Sequence, residues 1–247
     1  MSSVLRLSRL TRLSVLVYLV SGVGLSGLSG CSSQSQSTGQ QQQQQTVPMQ
    51  RSGTARTNVA TPERLSYAAL DRLRHRVVYN GTYVPIAYPN GDVPSNMGVC
   101  TDTVIRSYRK LGVDLQRLVH EDMARNFYAY PNLPKWGLSA PDPNIDHRRV
   151  HNLKAFFTRR GARLPVSGDP RDYQPGDLVT WNLGGDQEHI GIVVNRKSTA
   201  DPDRYLIVHN IGEGEKMEDV LFQMPITGHY RFFPGYVPSA AQYASAN

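Results

Sequence analysis

Residues 32–60 have a composition that cannot form a folded core, so a globular domain must lie after them. They are mostly Ser, Gln, Thr and Gly, include an unbroken run from Gln40 to Gln45, and show no apolar period. Such a segment cannot bury enough surface to offset the chain entropy lost on folding. Only the next part of the chain, about 175 residues, can supply a core, and that length suffices for one domain. We expect a globular domain at residues 61–235 and a disordered tail at residues 236–247.

The N-terminus has the composition of an export signal. Arg6, Arg9 and Arg12 precede a short apolar run, Leu13–Val20, which is followed by small residues. This run falls below the roughly 20 apolar residues that a membrane-spanning helix needs. Residues 1–30 are therefore expected to be a signal peptide and not part of the fold.

The string Leu28-Ser-Gly-Cys31 resembles the bacterial lipobox. That resemblance implies that Cys31 becomes the acylated first residue of the mature chain and attaches it to a membrane, with residues 31–60 as a flexible tether. Two or more acyl chains give stable attachment. Because Ser32 is not the aspartate of an inner-membrane retention signal, we expect an outer-membrane anchor facing the periplasm. An ordinary cleaved signal is the alternative.

The net charge argues against a nucleic-acid partner. The 27 Lys and Arg exceed the 20 Asp and Glu by 7, and three of the arginines lie in the leader, which leaves the mature chain at +4. No Lys/Arg run resembles a nucleic-acid-binding arm. Attraction to an anionic wall polymer or membrane surface accounts for this charge.

Apolar periodicity predicts helices in the first part of the domain and strands in the second. Thr61-Pro-Glu-Arg64 is a helix start. The expected helices run from there to about Arg76, from Cys100 to Leu111, from Leu115 to Tyr128 and from Arg148 to Arg160, with an irregular loop from Pro131 to Ile145. The expected strands are Leu178–Trp181, His189–Val194, Tyr205–His209 and Gly228–Phe233. This order indicates an α+β fold with an antiparallel sheet.

Cys100 is the first candidate functional residue. With Cys31 acylated it is the remaining thiol of an exported chain, where a lone thiol requires an explanation. At the first turn of a helix, the positive end of the dipole lowers a thiol pKa. We therefore expect a reactive thiolate and not a buried apolar cysteine. Asp102 opposes that shift, although it also suits the helix start by bonding free amides.

Two histidines suit a thiol nucleophile, which needs an imidazole and a group that orients it. His189 opens one strand and His209 ends the next, followed by Asn210. Adjacent antiparallel strands bring the two histidines side by side. We predict Cys100, His189 and His209 as catalytic residues and Asn210 as a supporting residue.

The order of these residues resembles the NlpC-type cysteine peptidases, papain-like enzymes of the bacterial cell wall. The shared features are Tyr88, Gly91, Cys100 at a helix start, Pro175-Gly-Asp177 and His189-Ile-Gly-Ile-Val193. The resemblance implies a papain-like fold, with N-terminal helices packed on an antiparallel sheet. It implies Cys100 as nucleophile, His189 as general base and acid, and His209 as the orienting group. It also implies an oxyanion hole that includes the Cys100 N–H, and a Tyr88 hydroxyl near the site. Val99 departs from the aspartate usual before the cysteine.

Longer strings resemble the bacterial domain-of-unknown-function family 1287 over nearly the whole domain. They are Tyr88-Pro-Asn-Gly-Asp-Val-Pro94, Gly98-Val-Cys-Thr-Asp102, Val119-His-Glu-Asp-Met123, Asn144-Ile-Asp-His-Arg-Arg149, His209-Asn-Ile-Gly212 and Ile226-Thr-Gly-His-Tyr-Arg231. That family has no assigned substrate, so the expected activity depends on the NlpC-type resemblance.

A zinc site is the alternative for His147 and His151, which lie four residues apart. The string lacks the glutamate of a metalloprotease motif, and its two arginines repel a cation. Asp146, Arg148 and Arg149 are expected to form a structural ion-pair loop, and no metal or organic cofactor is expected.

The sequence thus predicts a thiol hydrolase that acts on peptide or amide bonds of peptidoglycan or its peptide fragments. Two alternatives remain. One is a catalytically silent wall-binding module, and the other is a papain-like enzyme that processes lipids or lipoproteins.

Overall fold

The computed structural model describes residues 60–235. The expected signal peptide, the lipidation at Cys31, almost all of the tether and the tail at residues 236–247 lie outside this range. No helix in the described range is long and apolar enough to cross a bilayer.

Residues 60–235 form five α-helices and eight β-strands. The helices are α1 (Pro62–Arg72), α2 (Cys100–Lys110), α3 (Leu115–Arg125), α4 (Asn132–Trp136) and α5 (Val150–Arg159). The strands are β1 (Val78–Tyr79), β2 (Met97–Gly98), β3 (Arg163–Leu164), β4 (Leu178–Asn182), β5 (Glu188–Lys197), β6 (Tyr205–Asn210), β7 (Glu215–Glu218) and β8 (Ile226–Tyr230). Short 3₁₀ turns lie at Phe127–Ala129, Asp146–Arg148 and Pro170–Asp172.

Six of the strands form one antiparallel sheet in the order β3-β8-β4-β5-β6-β7, while β1 and β2 form a separate parallel pair. Helices α1, α2 and α5 pack on this sheet. The α+β class with an antiparallel sheet is therefore confirmed. The helices cover one face because every second residue of the central strands is apolar and points toward them.

Strand β5 shows this alternation. Ile190, Ile192 and Val194 belong to the apolar core shared with the helices, whereas Val193 belongs to a second apolar cluster that includes Trp181 of β4. Both sets are fully buried. Both faces of the sheet are therefore covered near β5. Alternate residues of this strand point into two different apolar clusters.

Several boundaries differ from the sequence prediction. Helix α1 is capped by the Thr61 side chain as expected but ends at Arg72, and α5 begins at Val150. A short helix, α4, lies within the expected irregular loop. The short strands β1, β2 and β3 and the edge strand β7 were not predicted. Strand β7 reads Glu-Lys-Met-Glu and is half-buried at the edge of the sheet, so it lacks the apolar alternation by which strands are recognised.

Candidate active site

Helix α2 begins at Cys100, and its first turn is held by a buried ion pair. The carboxylate of Asp102 accepts a hydrogen bond from the Val99 N–H at 2.7 Å. The Arg148 guanidinium donates two bonds of 2.9 Å to the same carboxylate. Both side chains are almost fully buried. The predicted bonding of free amides by Asp102 is confirmed, and this pairing fixes the backbone that carries the thiol.

The predicted ion-pair loop is confirmed with a different pairing. Arg149 bonds Asp146 at 3.1 Å, within the loop as expected. Arg148 instead reaches across to Asp102 of α2. The loop therefore stabilises the start of the cysteine-bearing helix.

The thiol of Cys100 is buried, with 5% of the residue exposed. Burial raises the pKa of Cys100 to about 11, and the nearby Asp102 charge adds to that rise, although the backbone N–H groups of Ile190, Thr101 and Cys100 face the sulfur and act in the opposite direction. The expected thiolate is therefore wrong for the resting protein. The loss of hydration around a charged sulfur outweighs the stabilisation by helix-end amides.

His189 and His209 lie side by side on β5 and β6, as the sequence predicted. His189 Nε2 is 2.8 Å from His209 Nδ1, and the two rings meet at 70°. Both residues are almost fully buried. Burial, with a further contribution from His209, lowers the pKa of His189 to about 3. Burial also lowers the pKa of His209. The His189 imidazole is therefore neutral at physiological pH.

The thiol and the His189 ring approach the sheet from different sides. Ile190, whose N–H faces the sulfur, packs in the core under the helices, while the preceding residue, His189, lies against Trp181 with ring centroids 5.7 Å apart. His189 and Ile190 are the second and third residues of β5, so the sulfur and the His189 ring both lie beside the start of that strand. Among the described residues, Cys100 has no hydrogen bond to the His189 ring. The thiol and the His189 ring are therefore linked through the backbone of two consecutive residues, His189 and Ile190.

Glu218 is a third member of this hydrogen-bonded group, and the sequence analysis did not identify it. His209 Nε2 is 2.9 Å from Glu218 Oε2. Glu218 pairs with Ile207 in the β6–β7 ladder, so it lies diagonally across from His209. The sequence does contain a feature that predicts a strand carrying Glu218. The glycine-rich turn at Gly212 and Gly214 closes a hairpin and returns the chain beside His209.

The tyrosine near the thiol is Tyr79, and the expectation for Tyr88 is wrong. Tyr88 contacts His120 of α3, with ring centroids 4.9 Å apart. The pKa of Tyr79 is raised by burial and then by the charges of Cys100 and Asp102, which places its hydroxyl close to the start of α2. Tyr79 occupies this position because β1 pairs with β2, the strand directly before Cys100.

Asn210 supports the backbone before the cysteine. Its side-chain amide donates to the Gly98 carbonyl at 3.4 Å and accepts from the Gly212 N–H at 3.3 Å. The expected supporting role therefore has a structural basis, because this side chain bonds the end of β6 to the segment before Cys100.

A cavity of about 480 Å³ opens beside His209 and Glu218. Its other lining residues are Ile211, Asp219, Val220, Gln223 and Met224. Its wall therefore mixes the polar side chains of His209, Glu218, Asp219 and Gln223 with three apolar ones.

His147 and His151 lie on different elements. His147 is buried in a 3₁₀ turn, where burial and then the Arg148 charge lower its pKa to about 3. His151 lies on α5 and is 3.3 Å from Asp186. Within residues 60–235, no group of three or more His, Cys, Asp or Glu side chains is arranged to hold a metal ion.

A protein family described as "Domain of unknown function (DUF1287)" matches residues 66–232. The chain belongs to this family. A 179-residue stretch is 48% identical to "Uncharacterized protein YijF" of Escherichia coli (strain K12), and it covers 72% of this chain and 83% of that protein. No solved structure matches the chain significantly. The DUF1287 region contains Cys100, His189, His209 and Glu218.

Proposed function

We propose that this DUF1287 protein is an exported, lipid-anchored thiol hydrolase of the papain-like NlpC type that cleaves a peptide or amide bond of peptidoglycan. The observation that carries the proposal is that the Cys100 sulfur faces the Ile190 N–H of β5, and the residue before Ile190 is His189, whose ring is 2.8 Å from His209. In this proposal Cys31 anchors the protein to the outer membrane, facing the periplasm, and the tether lets the domain reach the wall.

The Cys100 thiol and the His189 imidazole are both uncharged in the resting protein. The pKa of Cys100 is about 11 and that of His189 is about 3, so the proton remains on sulfur until a substrate arrives. Attack and proton transfer are therefore coupled, with His189 Nδ1 accepting the thiol proton as Sγ bonds to the substrate carbonyl carbon. Nδ1 is the nitrogen used because Nε2 is bonded to His209. Catalytic hydrogen bonds are often long without substrate and shorten when it binds.

Backbone amides stabilise the intermediate. The N–H groups of the first helical turn have no partner within a helix, and those of Cys100 and Thr101 face the sulfur. They hold the oxyanion that forms when the carbonyl is attacked. His189 then gives its proton to the leaving nitrogen, the C–N bond breaks and a thioester remains. Water attacks the thioester while His189 accepts a proton from it, and that proton returns to sulfur as the acid product leaves.

A second candidate function is a wall-binding module without catalysis. It is favoured by the burial of Cys100, because a deeply buried, protonated thiol also fits a purely structural cysteine. In that case the cavity beside His209 binds wall peptides and the thiol takes no part.

Mass spectrometry of fragments released from purified peptidoglycan sacculi separates these functions. The full-length protein is compared with its Cys100→Ala variant. Release of new fragments by the wild-type protein alone is the expected result, and the fragment masses identify the bond. Equal release by both proteins contradicts the thiol mechanism. No release, with equal binding of both proteins to sacculi, supports the binding module. Cleavage of a lipid ester without wall fragments supports the lipid-processing alternative.

A further inference from the structure

We propose that Glu218 is a positioning residue that selects the tautomers of His209 and His189, a role that rests on the proposed function of His189 as the base. It acts through the chain of hydrogen bonds from Glu218 to His209 and from His209 to His189.

The tautomers follow from which atoms can donate. An ionised carboxylate only accepts, so the 2.9 Å bond to Glu218 requires a proton on His209 Nε2. A neutral imidazole carries one N–H, which leaves His209 Nδ1 as an acceptor. His189 Nε2 must then be the donor in the 2.8 Å bond between the rings. His189 Nδ1 consequently has a free lone pair, as the proposed base requires.

The bond between the two rings does not select this arrangement by itself. The same 2.8 Å contact forms equally well when His209 Nδ1 donates to His189 Nε2. In that reversed state the His189 proton lies on Nδ1, so the ring cannot accept a proton from the thiol at that atom. Both states have the same heavy-atom positions, and the group beyond His209 determines which one forms.

Glu218 is suited to this role by its position on the edge strand. Its side chain is 39% exposed and borders the cavity, while the His209 ring that it holds is buried. The neighbouring Asp219 is not available as a replacement, because its two oxygens bond the Arg204 guanidinium and the Ser198 hydroxyl. The hairpin of β6 and β7 thus supplies one acceptor to the His209 ring.

Long-range ¹H–¹⁵N NMR of ¹⁵N-histidine-labelled protein measures the tautomers directly. The full-length chain with Cys31→Ser is used, so that Cys100 is the single thiol. We expect both His189 and His209 to carry the proton on Nε2. Glu218→Ala should move both rings toward the reversed tautomer, and Glu218→Gln should retain the wild-type tautomers because its amide carbonyl still accepts. Glu213→Ala, an exposed acid of the same hairpin, is the matched control.

Alkylation of Cys100 by iodoacetamide gives a second measurement that needs no wall substrate. Glu218→Ala should slow alkylation by about tenfold, the lower end of the loss seen when the partner that orients a metal-bound histidine is removed, and Glu218→Gln should slow it less. Wild-type tautomers and an unchanged alkylation rate in Glu218→Ala overturn the proposal for Glu218. If the tautomers shift but sacculi are never cleaved, Glu218 retains its role and the proposed substrate is wrong. If Glu218→Ala cleaves sacculi at the wild-type rate with unchanged tautomers, only the role of Glu218 is wrong.

Discussion

The sheet contains two buried histidine clusters that differ in how completely their hydrogen bonds are satisfied. The site cluster is His189, His209 and Glu218. The second cluster is His229, Asp177 and Arg231. His229 Nε2 is 2.8 Å from an Asp177 oxygen, and Arg231 donates two bonds, of 2.7 and 2.8 Å, to the same carboxylate.

In the second cluster both ring nitrogens of His229 are occupied. Nδ1 is 3.1 Å from the Pro165 carbonyl, Nε2 faces Asp177, and the ring stacks on Tyr173 with centroids 4.3 Å apart. Asp177 also accepts from the Gln174 N–H, which holds the turn before β4. Because both nitrogens of the His229 ring already contact protein acceptors, neither is open to a substrate, so this cluster stabilises structure.

In the site cluster one ring nitrogen remains available. Among the residues that the structure describes, the His189 ring makes a single hydrogen bond, which joins its Nε2 and His209 Nδ1. Burial alone therefore does not distinguish a functional histidine from a structural one, since both His189 and His229 are at most 2% exposed. The difference is that one nitrogen of the His189 ring has no hydrogen-bond partner among the described residues, whereas both nitrogens of His229 have one.

The largest expected difference between the clusters is in the reaction rate. We expect His189→Ala to lower the rate of fragment release from sacculi by about 10²- to 10⁴-fold, because the base is lost. His229→Ala is the matched control, and its rate should stay near wild type at a temperature where both variants are folded. Equal losses in the two variants would contradict the assignment of different roles.

The next largest expected difference is in stability. Asp177→Ala should lower the free energy of unfolding by about 3 kcal/mol, because Arg231 and His229 lose their buried partner. Glu218→Ala should lower it by less than about 1 kcal/mol, because that carboxylate is partly exposed. Urea unfolding of both variants measures the contrast, and a Glu218→Ala loss as large as that of Asp177→Ala would refute it.

A smaller effect concerns acid sensitivity. The pKa of His189 is about 3 in the folded protein, below the ordinary 6.5, so the unfolded chain binds a proton first as the pH falls. The stability that depends on neutral His189 is therefore complete above about pH 6.5 and is lost progressively toward pH 3. About two pH units below 6.5, the loss is about 2 to 3 kcal/mol.

Urea unfolding at a series of pH values tests this effect. His189→Asn should make the free energy of unfolding less dependent on pH than in the wild type. Part of the dependence should persist, because His147 is also buried with its pKa lowered to about 3. An unchanged pH dependence in His189→Asn would show that His189 is not held neutral by the fold.

The smallest expected effect concerns Asn210, which follows His209 of the site cluster in the sequence. Asn210→Ala removes one long hydrogen bond to Gly98 and should lower the free energy of unfolding by about 1 kcal/mol. It should also change the alkylation rate of Cys100, since that bond supports the segment before the helix. Tyr88→Phe is the control and should leave alkylation unchanged, because Tyr88 contacts α3. A change in Tyr88→Phe alone would contradict this placement.

The sequence predicted the helices and the central strands because their apolar residues recur with clear periods. It also predicted that His189 and His209 are neighbours, since consecutive antiparallel strands with a short connection usually pair. It missed β7, whose Glu-Lys-Met-Glu pattern shows no period, and with β7 it missed Glu218. It predicted that Tyr88 lies near the thiol, whereas the folded chain has Tyr79 there. The reason is that the pairing of β1 with β2 is not visible in the local sequence.

The sequence by itself thus determined the helix that begins at Cys100 and the strands that carry the two histidines, since these depend on local capping and periodicity. Tertiary structure decided the charge of the site. The pKa values of Cys100 and His189 depend on how completely packing removes water, and this outweighed the helix-end effect expected from the sequence. Tertiary structure also decided the partner of His209, because Glu218 reaches it only through the pairing of an edge strand.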